Sequence, residues 1–157
     1  MPAQHRYIAF LRAINVGGRV VKMDRLREIM ERRIEKALRK TLGYEVETFV
    51  RTPAELAAAL AHDPFDDDID DIGGATLLLG FLGDAPAPAI CVAVAAAGSD
   101  VDDLRVHGRE LYWRCHTRIS ESKVKPKQLH RALGMPTTTR NVTTLRKLVA
   151  KYGGTPS

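Results

Sequence analysis

Apolar residues recur along this chain at two spacings, and the change from one to the other predicts its helices and strands. Residues 7–11 and 76–82 are short continuous apolar runs, which is typical of buried strands. From Lys22 onward, apolar residues recur every three or four positions until Gly43, which predicts one amphipathic helix of about twenty residues. The pattern therefore predicts both helices and strands within one chain.

The remaining predicted elements follow from alternation, capping residues and glycines. Residues 45–51 alternate and are rich in Val, Thr and Phe, so they predict a strand. Thr52 is a suitable N-cap for a helix over residues 53–62, because Pro53 fits the first helical position. Further predictions are a short helix ending at Ala97, a hairpin of residues 103–107 and 110–115 about Gly108, a helix over residues 126–133 closed by Gly134, and a last amphipathic helix over residues 141–152.

The order of these elements predicts an α+β protein with two ferredoxin-like halves. From residue 76 the order is strand, helix, strand, strand, helix, which is how the split β-α-β fold, or alpha-beta plait, begins. The first part starts and ends in the same way but lacks the central hairpin. We therefore expect a first half over residues 1–74 and a second half over residues 75–157, with the C-terminal helix in the second.

Length and composition limit the classes of protein that fit. A chain of 157 residues with 45% apolar content is long enough to bury the core of one domain or of two small ones. The apolar run at residues 7–11 is too short for a signal peptide, and the Ala-rich run at residues 85–97 is too short to cross a bilayer. We expect a soluble cytoplasmic protein that does not enter a membrane.

Charge is divided unevenly along the chain. Residues 1–51 hold 12 Lys and Arg against 6 Asp and Glu, residues 52–104 hold none against 11, and residues 105–157 hold 12 against 2. Such segregation allows a basic face for phosphates or nucleic acid, or an acidic segment that packs beside the basic ones and cancels their field. Cancellation is favoured, because no aromatic residues interleave the basic run as platforms for base stacking.

The segment between the first strand and the first helix is the main candidate for ligand binding. Two adjacent glycines and an Asn permit backbone conformations in which N–H groups face an anion, and nearby cations add charge. Alternatively, the same glycines serve only to form a tight strand-to-helix connection that binds no ligand; both interpretations stay open. Asn141 precedes a helix and suits an N-cap, which would leave its neighbour Arg140 for an anion. The candidate ligand-binding residues are Arg12, Asn15, Gly17, Gly18, Arg19, Lys22, Arg140 and Asn141.

Other motifs predict neither a metal site nor a cofactor. The P-loop and dinucleotide-binding glycine spacings are absent from the sequence. Cys91 and Cys115 lack paired spacing and are expected to be small buried residues, and the five histidines show no short ligand spacing. Residues 66–73 match a calcium loop only in part, and residues 120–123 match S-x-x-K without its companion motifs. No catalytic residue is identified.

Residues 12–18, between the first predicted strand and the first predicted helix, read RAINVGG. This segment and several later motifs resemble one uncharacterised bacterial family, domain-of-unknown-function family 1697, whose signature is R-G-I-N-V-G-G, so Ala13 replaces its first glycine. Val142 and Thr143 replace the Trp and Asn that commonly follow Arg-Asn in the family. The other matches are residues 50–52, 55–56, 64–65, 122–123 and 139–141, with Thr144 and residues 147–148. The resemblance carries over no established activity.

The resemblance also predicts an unusual first half. Members of this family continue from the first helix into a strand hairpin, whereas here Met30 runs directly into Glu31. Either residues are missing from the sequence at this point, or a deletion has joined two helices whose apolar phases agree. A first half without the hairpin holds only two strands, and a two-stranded sheet is marginal by itself.

Three functions stay open on this evidence. The leading hypothesis is a binding module for an anionic small molecule or nucleic acid, with the glycine segment as its face. The second is an enzyme of unknown reaction with a site between the two halves. The third is a structural or dimerisation role through sheet edges. The sequence identifies neither the ligand nor the oligomeric state.

Overall fold

The computed structural model describes residues 8–11, 24–65 and 74–153, which form an α+β structure with two antiparallel sheets and five helices. The predicted α+β class is confirmed. The chain divides into two compact units, of which one comprises residues 1–60 with residues 145–157 and the other comprises residues 61–144. Each unit carries one of the two sheets.

The first unit holds a two-stranded sheet and a long helix. Its elements are strand β1 (Ile8–Leu11), helix α1 (Asp24–Leu42), strand β2 (Thr48–Arg51) and helix α2 (Pro53–Ala61), whose last residue falls in the second unit. The two strands run antiparallel, and Phe10 of β1 lies opposite Phe49 of β2. Both phenylalanines are buried, so they contribute to the core of this unit.

Helix α1 is unbroken through Met30 and Glu31, as its apolar periodicity predicts. It ends where Gly43 adopts a φ of +79°, a left-handed conformation that favours glycine. The Gly43 N–H donates to the Arg39 carbonyl at 2.9 Å, which satisfies one of the last free carbonyls of the helix. The predicted stop at Gly43 is therefore confirmed.

The inner face of α1 differs from the one that its apolar residues predict. Ile29 and Leu42 are 42% and 40% exposed. Glu31 and Glu35 instead extend toward β2, where their carboxylates accept backbone N–H groups. The acidic side chains share the covered side of α1 with half-buried apolar residues, and they satisfy N–H groups on the edge of β2.

Thr52 caps helix α2, as predicted. Its Oγ1 accepts the Glu55 N–H at 3.0 Å, and a Glu55 carboxylate oxygen accepts the Thr52 N–H at 2.7 Å, which together form a capping box. Pro53 occupies the first helical position, where no N–H is needed. The other Glu55 oxygen accepts a hydrogen bond from buried Arg27 of α1, so one carboxylate links the two helices.

The second unit holds a four-stranded sheet in which every neighbouring pair is antiparallel. Its elements are strand β3 (Thr76–Phe81), helix α3 (Pro88–Ala96), strand β4 (Asp102–His107), strand β5 (Glu110–Cys115), helix α4 (Pro126–Leu133) and strand β6 (Thr138–Asn141). The strand order across the sheet is β4-β5-β3-β6. A short 3-10 helix (Ile119–Glu121) precedes α4, and helix α5 (Val142–Tyr152) follows β6.

The predicted hairpin turn and the predicted end of α4 are both confirmed, and each depends on one glycine. Gly108 joins β4 to β5 with a φ of +57°, and Gly134 ends α4 with a φ of +63°. Strand β6 is not among the predicted elements, because its sequence Thr-Thr-Arg-Asn is polar and lacks an apolar alternation. It becomes a strand by pairing with β3, from Thr138 opposite Phe81 to Asn141 opposite Leu78.

One face of the four-stranded sheet packs against α3 and α4. The buried core there consists of Leu82, Val94, Ala97, Leu104, Leu111, Val124, Leu129 and Leu133. Both cysteines are free thiols. The predicted burial holds for Cys115, whereas Cys91 on α3 is only half-buried.

Candidate functional site

Most of the predicted ligand-binding residues lie outside the described residues, and so does the acidic segment at residues 66–73. The ligand-binding candidates concerned are Arg12, Asn15, Gly17, Gly18, Arg19 and Lys22. Their role in binding stays a prediction. The other two candidates, Arg140 and Asn141, lie at the end of β6, directly before α5.

Arg140 and Asn141 both make local hydrogen bonds. The Asn141 Oδ1 accepts the Thr143 N–H at 2.8 Å, which confirms the predicted cap of the last helix. The Arg140 Nη1 donates to the Thr138 hydroxyl at 2.7 Å and to the Thr139 carbonyl at 2.8 Å, so its guanidinium lies along its own strand. A contact between Arg140 and an anion stays a prediction.

A groove lies between α1 and the segment before β2. Its lining combines three cations, three carboxylates and one apolar side chain: Arg32, Glu35, Lys36, Arg39, Glu45, Val46 and Glu47. Arg39 and Glu45 form an ion pair at 3.1 Å across it. Because positive and negative groups are equal in number, the groove does not favour an anion over a cation.

Helix α4 presents a cationic surface that is built from its amphipathic pattern. Leu129 and Leu133 lie one turn apart and are buried, which turns the opposite side of the helix to solvent. The exposed basic side chains there, together with the residue just before the helix, are Lys125, Lys127, His130 and Arg131, and we call this set the α4 cationic surface. Lys127 and Arg131 are four residues apart, so they are neighbours on one helical face.

The permanent cations of this surface are not neutralised by the protein within the described residues. Lys125, Lys127 and Arg131 form no ion pair there. Lys123, two residues earlier, behaves differently, because its Nζ lies 2.7 Å and 2.9 Å from the two carboxylate oxygens of Asp100. The sequence after Glu121 contains no Asp or Glu, so no neighbouring carboxylate along the chain opposes the charge of α4.

A buried carboxylate holds the segment that leads into α4. Asp102 of β4 is 1% exposed and accepts four hydrogen bonds. Its Oδ1 accepts the Trp113 indole N–H at 2.8 Å and the Ser122 hydroxyl at 2.7 Å, and its Oδ2 accepts the Ser99 hydroxyl at 2.7 Å and the Lys123 N–H at 2.8 Å. The carboxylate therefore fixes residues 122–123 against the hairpin, and with them the start of α4.

The hydrogen bonds of Asp102 determine its protonation state. Burial alone would raise the pKa of this carboxyl group, but the four donors outweigh burial and lower it to about 2. Asp102 is consequently ionised at neutral pH. It serves as a fixed structural anion, since four groups of the protein donate hydrogen bonds to it.

The other face of the sheet carries a second charged cluster. Asp103 lies opposite Arg114 in the β4–β5 ladder, and its Oδ2 accepts Nε and Nη2 of Arg114 at 3.0 Å and 2.8 Å. His116 Nε2 lies 2.7 Å from the same oxygen, and the guanidinium lies 4.4 Å from the centroid of the Phe65 ring. Burial would raise the pKa of Asp103, but the bonds from Arg114 and His116 lower it. The cluster neutralises a buried arginine.

Metal ligands do not converge within the part of the chain that the structure describes. No group of three or more His, Cys, Asp or Glu side chains there could hold a metal ion. Nor is any described helix both long and apolar enough to span a membrane.

Comparison with known protein families places the chain in one of them. The model of DUF1697, a protein of unknown function, matches residues 4–33 and 28–112. The chain belongs to the DUF1697 family. No curated protein and no solved structure matches it. The family assignment therefore carries no reaction or ligand to this chain.

The two matched stretches of this DUF1697 member share residues 28–33, which lie in α1. They meet at the place where the sequence passes directly from Met30 to Glu31. The stretches end before α4, so the α4 cationic surface is not described by the family match. The uneven charge of residues 105–157 is the sequence signal for this surface, and the helical spacing of Lys127 and Arg131 locates it.

Proposed function

We propose that this DUF1697 member is a binding module for an anionic ligand, a phosphate-bearing small molecule or a nucleic acid. The observation that carries the proposal is the α4 cationic surface, whose lysines and arginine have no ion-pair partner within the described residues. Phosphate oxygens are suitable partners for Lys and Arg, since both side chains donate charged hydrogen bonds.

The geometry of α4 favours contacts with a phosphate backbone over the reading of bases. The surface consists mainly of flexible Lys and Arg side chains, and α4 contains no Phe, Tyr or Trp as a stacking platform. Contacts of this kind give affinity without sequence preference and are weakened by salt. For three phosphates contacted on a duplex, the logarithm of the affinity should fall with the logarithm of salt at a slope of about −2.7.

The glycine segment remains part of the proposal as a contact in the first unit. Its residues are Arg12, Asn15, Gly17, Gly18, Arg19 and Lys22, with Arg140 and Asn141 proposed beside them. Their support is the sequence: adjacent glycines allow backbone N–H groups to face an anion, and the arginines add charge.

We also infer that residues 1–74 and 75–157 are two ferredoxin-like halves, of which the first lacks its central hairpin. The support is the strand, helix, strand, strand, helix, strand order from β3 to β6, with β3 between β5 and β6 in an antiparallel sheet. A cytoplasmic location belongs to the same proposal. It is supported by two free cysteines, because thiols stay reduced in the cytosol.

Fluorescence anisotropy with a labelled DNA duplex tests the nucleic-acid form of this proposal, and calorimetry with tripolyphosphate tests the small-molecule form. The variant Lys127→Glu/Arg131→Glu should lower the affinity at least about tenfold. The control Arg146→Glu/Lys147→Glu makes the same change in net charge on exposed positions of α5 and should have a much smaller effect.

Equal losses in the two variants would mean that net charge, not the α4 surface, attracts the anion. Absence of binding to both probes, or binding that does not depend on salt, would refute the proposal. A further variant, Arg12→Ala/Arg19→Ala, tests the glycine segment separately, because it leaves α4 unchanged.

A further inference from the structure

The two edges of the β1–β2 sheet differ in how their backbone groups are satisfied. On the outer edge of β2, the Thr48 N–H donates to Glu35 Oε1 and the Val50 N–H donates to Glu31 Oε1, both at 2.9 Å. Glu31 and Glu35 lie one turn apart on α1, so the helix supplies acceptors to alternate residues of the strand. This edge is therefore closed to another strand.

These two hydrogen bonds establish which groups of β1 point outward. The N–H groups of Thr48 and Val50 face away from β1, so Leu11 and Ala9, which lie opposite them, are in non-hydrogen-bonded pairs. The N–H and C=O groups of Ala9 and Leu11 consequently face away from β2. Within the described residues, no group hydrogen-bonds to them on that side.

In the second unit, the first strand is paired on both of its edges. This strand, β3, pairs with β6 on one side and β5 on the other, and both partners are antiparallel. β1 pairs with β2 in the same antiparallel sense but has no second strand among the described residues. Two strands of four residues each make a marginal sheet, so a further strand would stabilise this one.

Strand β1 carries neither of two features that often prevent edge pairing, a charged side chain or a proline. Its sequence, Ile-Ala-Phe-Leu, contains no charged residue and no proline. Pairing along these four residues therefore places no like charges opposite each other, although each copy has a net charge of +5.

We propose that β1 pairs antiparallel with β1 of a second copy of this chain, which creates one continuous sheet in the order β2-β1-β1-β2. The outward backbone groups of Ala9 and Leu11 are symmetric about Phe10, so a two-fold axis at Phe10 places each Ala9 opposite Leu11 of the other copy. Each of these pairs exchanges two N–H···O bonds, which satisfies the bare edge on both copies.

The size of this contact determines the strength of the dimer. Four residues of edge extend over about 13 Å, which is small for a specific protein interface. The dimer is therefore weak and depends on protein concentration. It uses uncharged backbone groups and does not depend on the anion binding proposed above, so no anionic ligand is present in its test.

Sedimentation equilibrium and amide hydrogen exchange, both on the complete chain, test this proposal. Over a range of about 5 to 500 μM, the mean mass should rise from that of a monomer toward that of a dimer. Over the same range, exchange of the Ala9 and Leu11 amides should slow. The amides of Ile8 and Phe10 are internal comparisons, because they already face β2 and should slow by a much smaller factor than those of Ala9 and Leu11.

Two substitutions at one position sharpen the test. Ala9→Pro removes the outward N–H without removing a hydrogen bond to β2 and should give a monomer throughout the range. Ala9→Val keeps the N–H and should dimerise like the unmodified chain.

A monomer at every concentration would overturn the proposal. A dimer whose Ala9 and Leu11 amides exchange at a rate independent of concentration would overturn it too, because another surface would then form the contact. If Ala9→Pro does not fold, hydrogen exchange of the unmodified chain decides the question alone.

Discussion

Replacing Asp102 by Asn tests whether one buried carboxylate holds the hairpin to the segment that leads into α4. Each carboxylate oxygen accepts one hydroxyl and one N–H: Trp113 Nε1 and Ser122 on Oδ1, Ser99 and the Lys123 backbone on Oδ2. An Asn side chain keeps one acceptor oxygen and presents an NH2 donor in place of the other. A serine hydroxyl can rotate to accept from that NH2 group, but an N–H cannot.

The expected loss follows from this geometry. Whichever way the amide is oriented, either the Trp113 indole or the Lys123 N–H faces a donor and is left unsatisfied. An unsatisfied buried donor costs about 1–3 kcal/mol, and the remaining bonds also lose their charge assistance. We expect Asp102→Asn to lower the free energy of unfolding by roughly 3 kcal/mol.

The same substitution changes how stability depends on pH. The pKa of Asp102 is lowered from 3.8 to about 2 in the folded protein. Because the folded pKa is depressed, its contribution is complete well above pH 3.8 and is lost as the pH falls through about 2. The contribution amounts to about 2 kcal/mol. The unmodified protein should lose this stability between about pH 5 and pH 2, and Asp102→Asn should lose correspondingly less.

Urea unfolding at several pH values, followed by tryptophan fluorescence, measures both effects. Trp113 is the only tryptophan and donates directly to Asp102, so its emission reports on this site. Asp100→Asn is a matched control, because Asp100 is exposed and its pair with Lys123 lies in solvent. If Asp102→Asn were as stable as the control at pH 7, or lost as much stability in acid as the unmodified chain, the reasoning would be wrong.

Three further substitutions test local features by the same unfolding measurement. Thr52→Ala removes the acceptor for the Glu55 N–H and should cost about 1 kcal/mol; a change near zero would mean that the capping box is not stabilising. Gly134→Ala should cost about 1 kcal/mol because its φ of +63° disfavours a side chain, although a Cβ would meet nothing within 4 Å. Gly80→Ala should cost about 1–3 kcal/mol, because its Cβ would lie 3.1 Å from the Leu111 Cβ. Gly83→Ala is the control for Gly80→Ala and should be nearly neutral, because a Cβ at Gly83 meets nothing within 4 Å. Equal losses of stability in these two variants would contradict the packing argument.

Elements with local signals were predicted from the sequence. Helix α1 follows from its three- and four-residue periodicity and its stop at Gly43, and α2 from Thr52 and Pro53. The β4–β5 hairpin follows from Gly108, whose positive φ suits the turn. Each signal acts within a few residues of the structure it determines, which is why the sequence is sufficient to find it.

Elements whose partners are distant were not predicted. Strand β6 is polar and becomes a strand only beside β3, about sixty residues earlier in the chain. The role of Asp102 was not predicted either, because the Ser122 hydroxyl and the Lys123 N–H that bind it lie 20 and 21 residues later in the chain. Glu31 and Glu35 look like solvent-facing charges until β2 lies beside α1.

For the candidate site too, some properties follow from the sequence and others only from the tertiary structure. The cationic character of residues 105–157, the Gly-Gly segment and the membership of the family are properties of the chain itself, because they depend on residue type and local spacing. Tertiary structure alone decided which charges are neutralised: Lys123 pairs with Asp100 and Arg114 with Asp103, while the α4 cations form no ion pair within the described residues. It also decided which sheet edge is satisfied by a helix, since Glu31 and Glu35 of α1 supply carboxylates to β2, whereas β1 has no second strand among the described residues. Pairing across a long sequence separation is set by packing geometry, and a one-dimensional pattern does not contain that geometry.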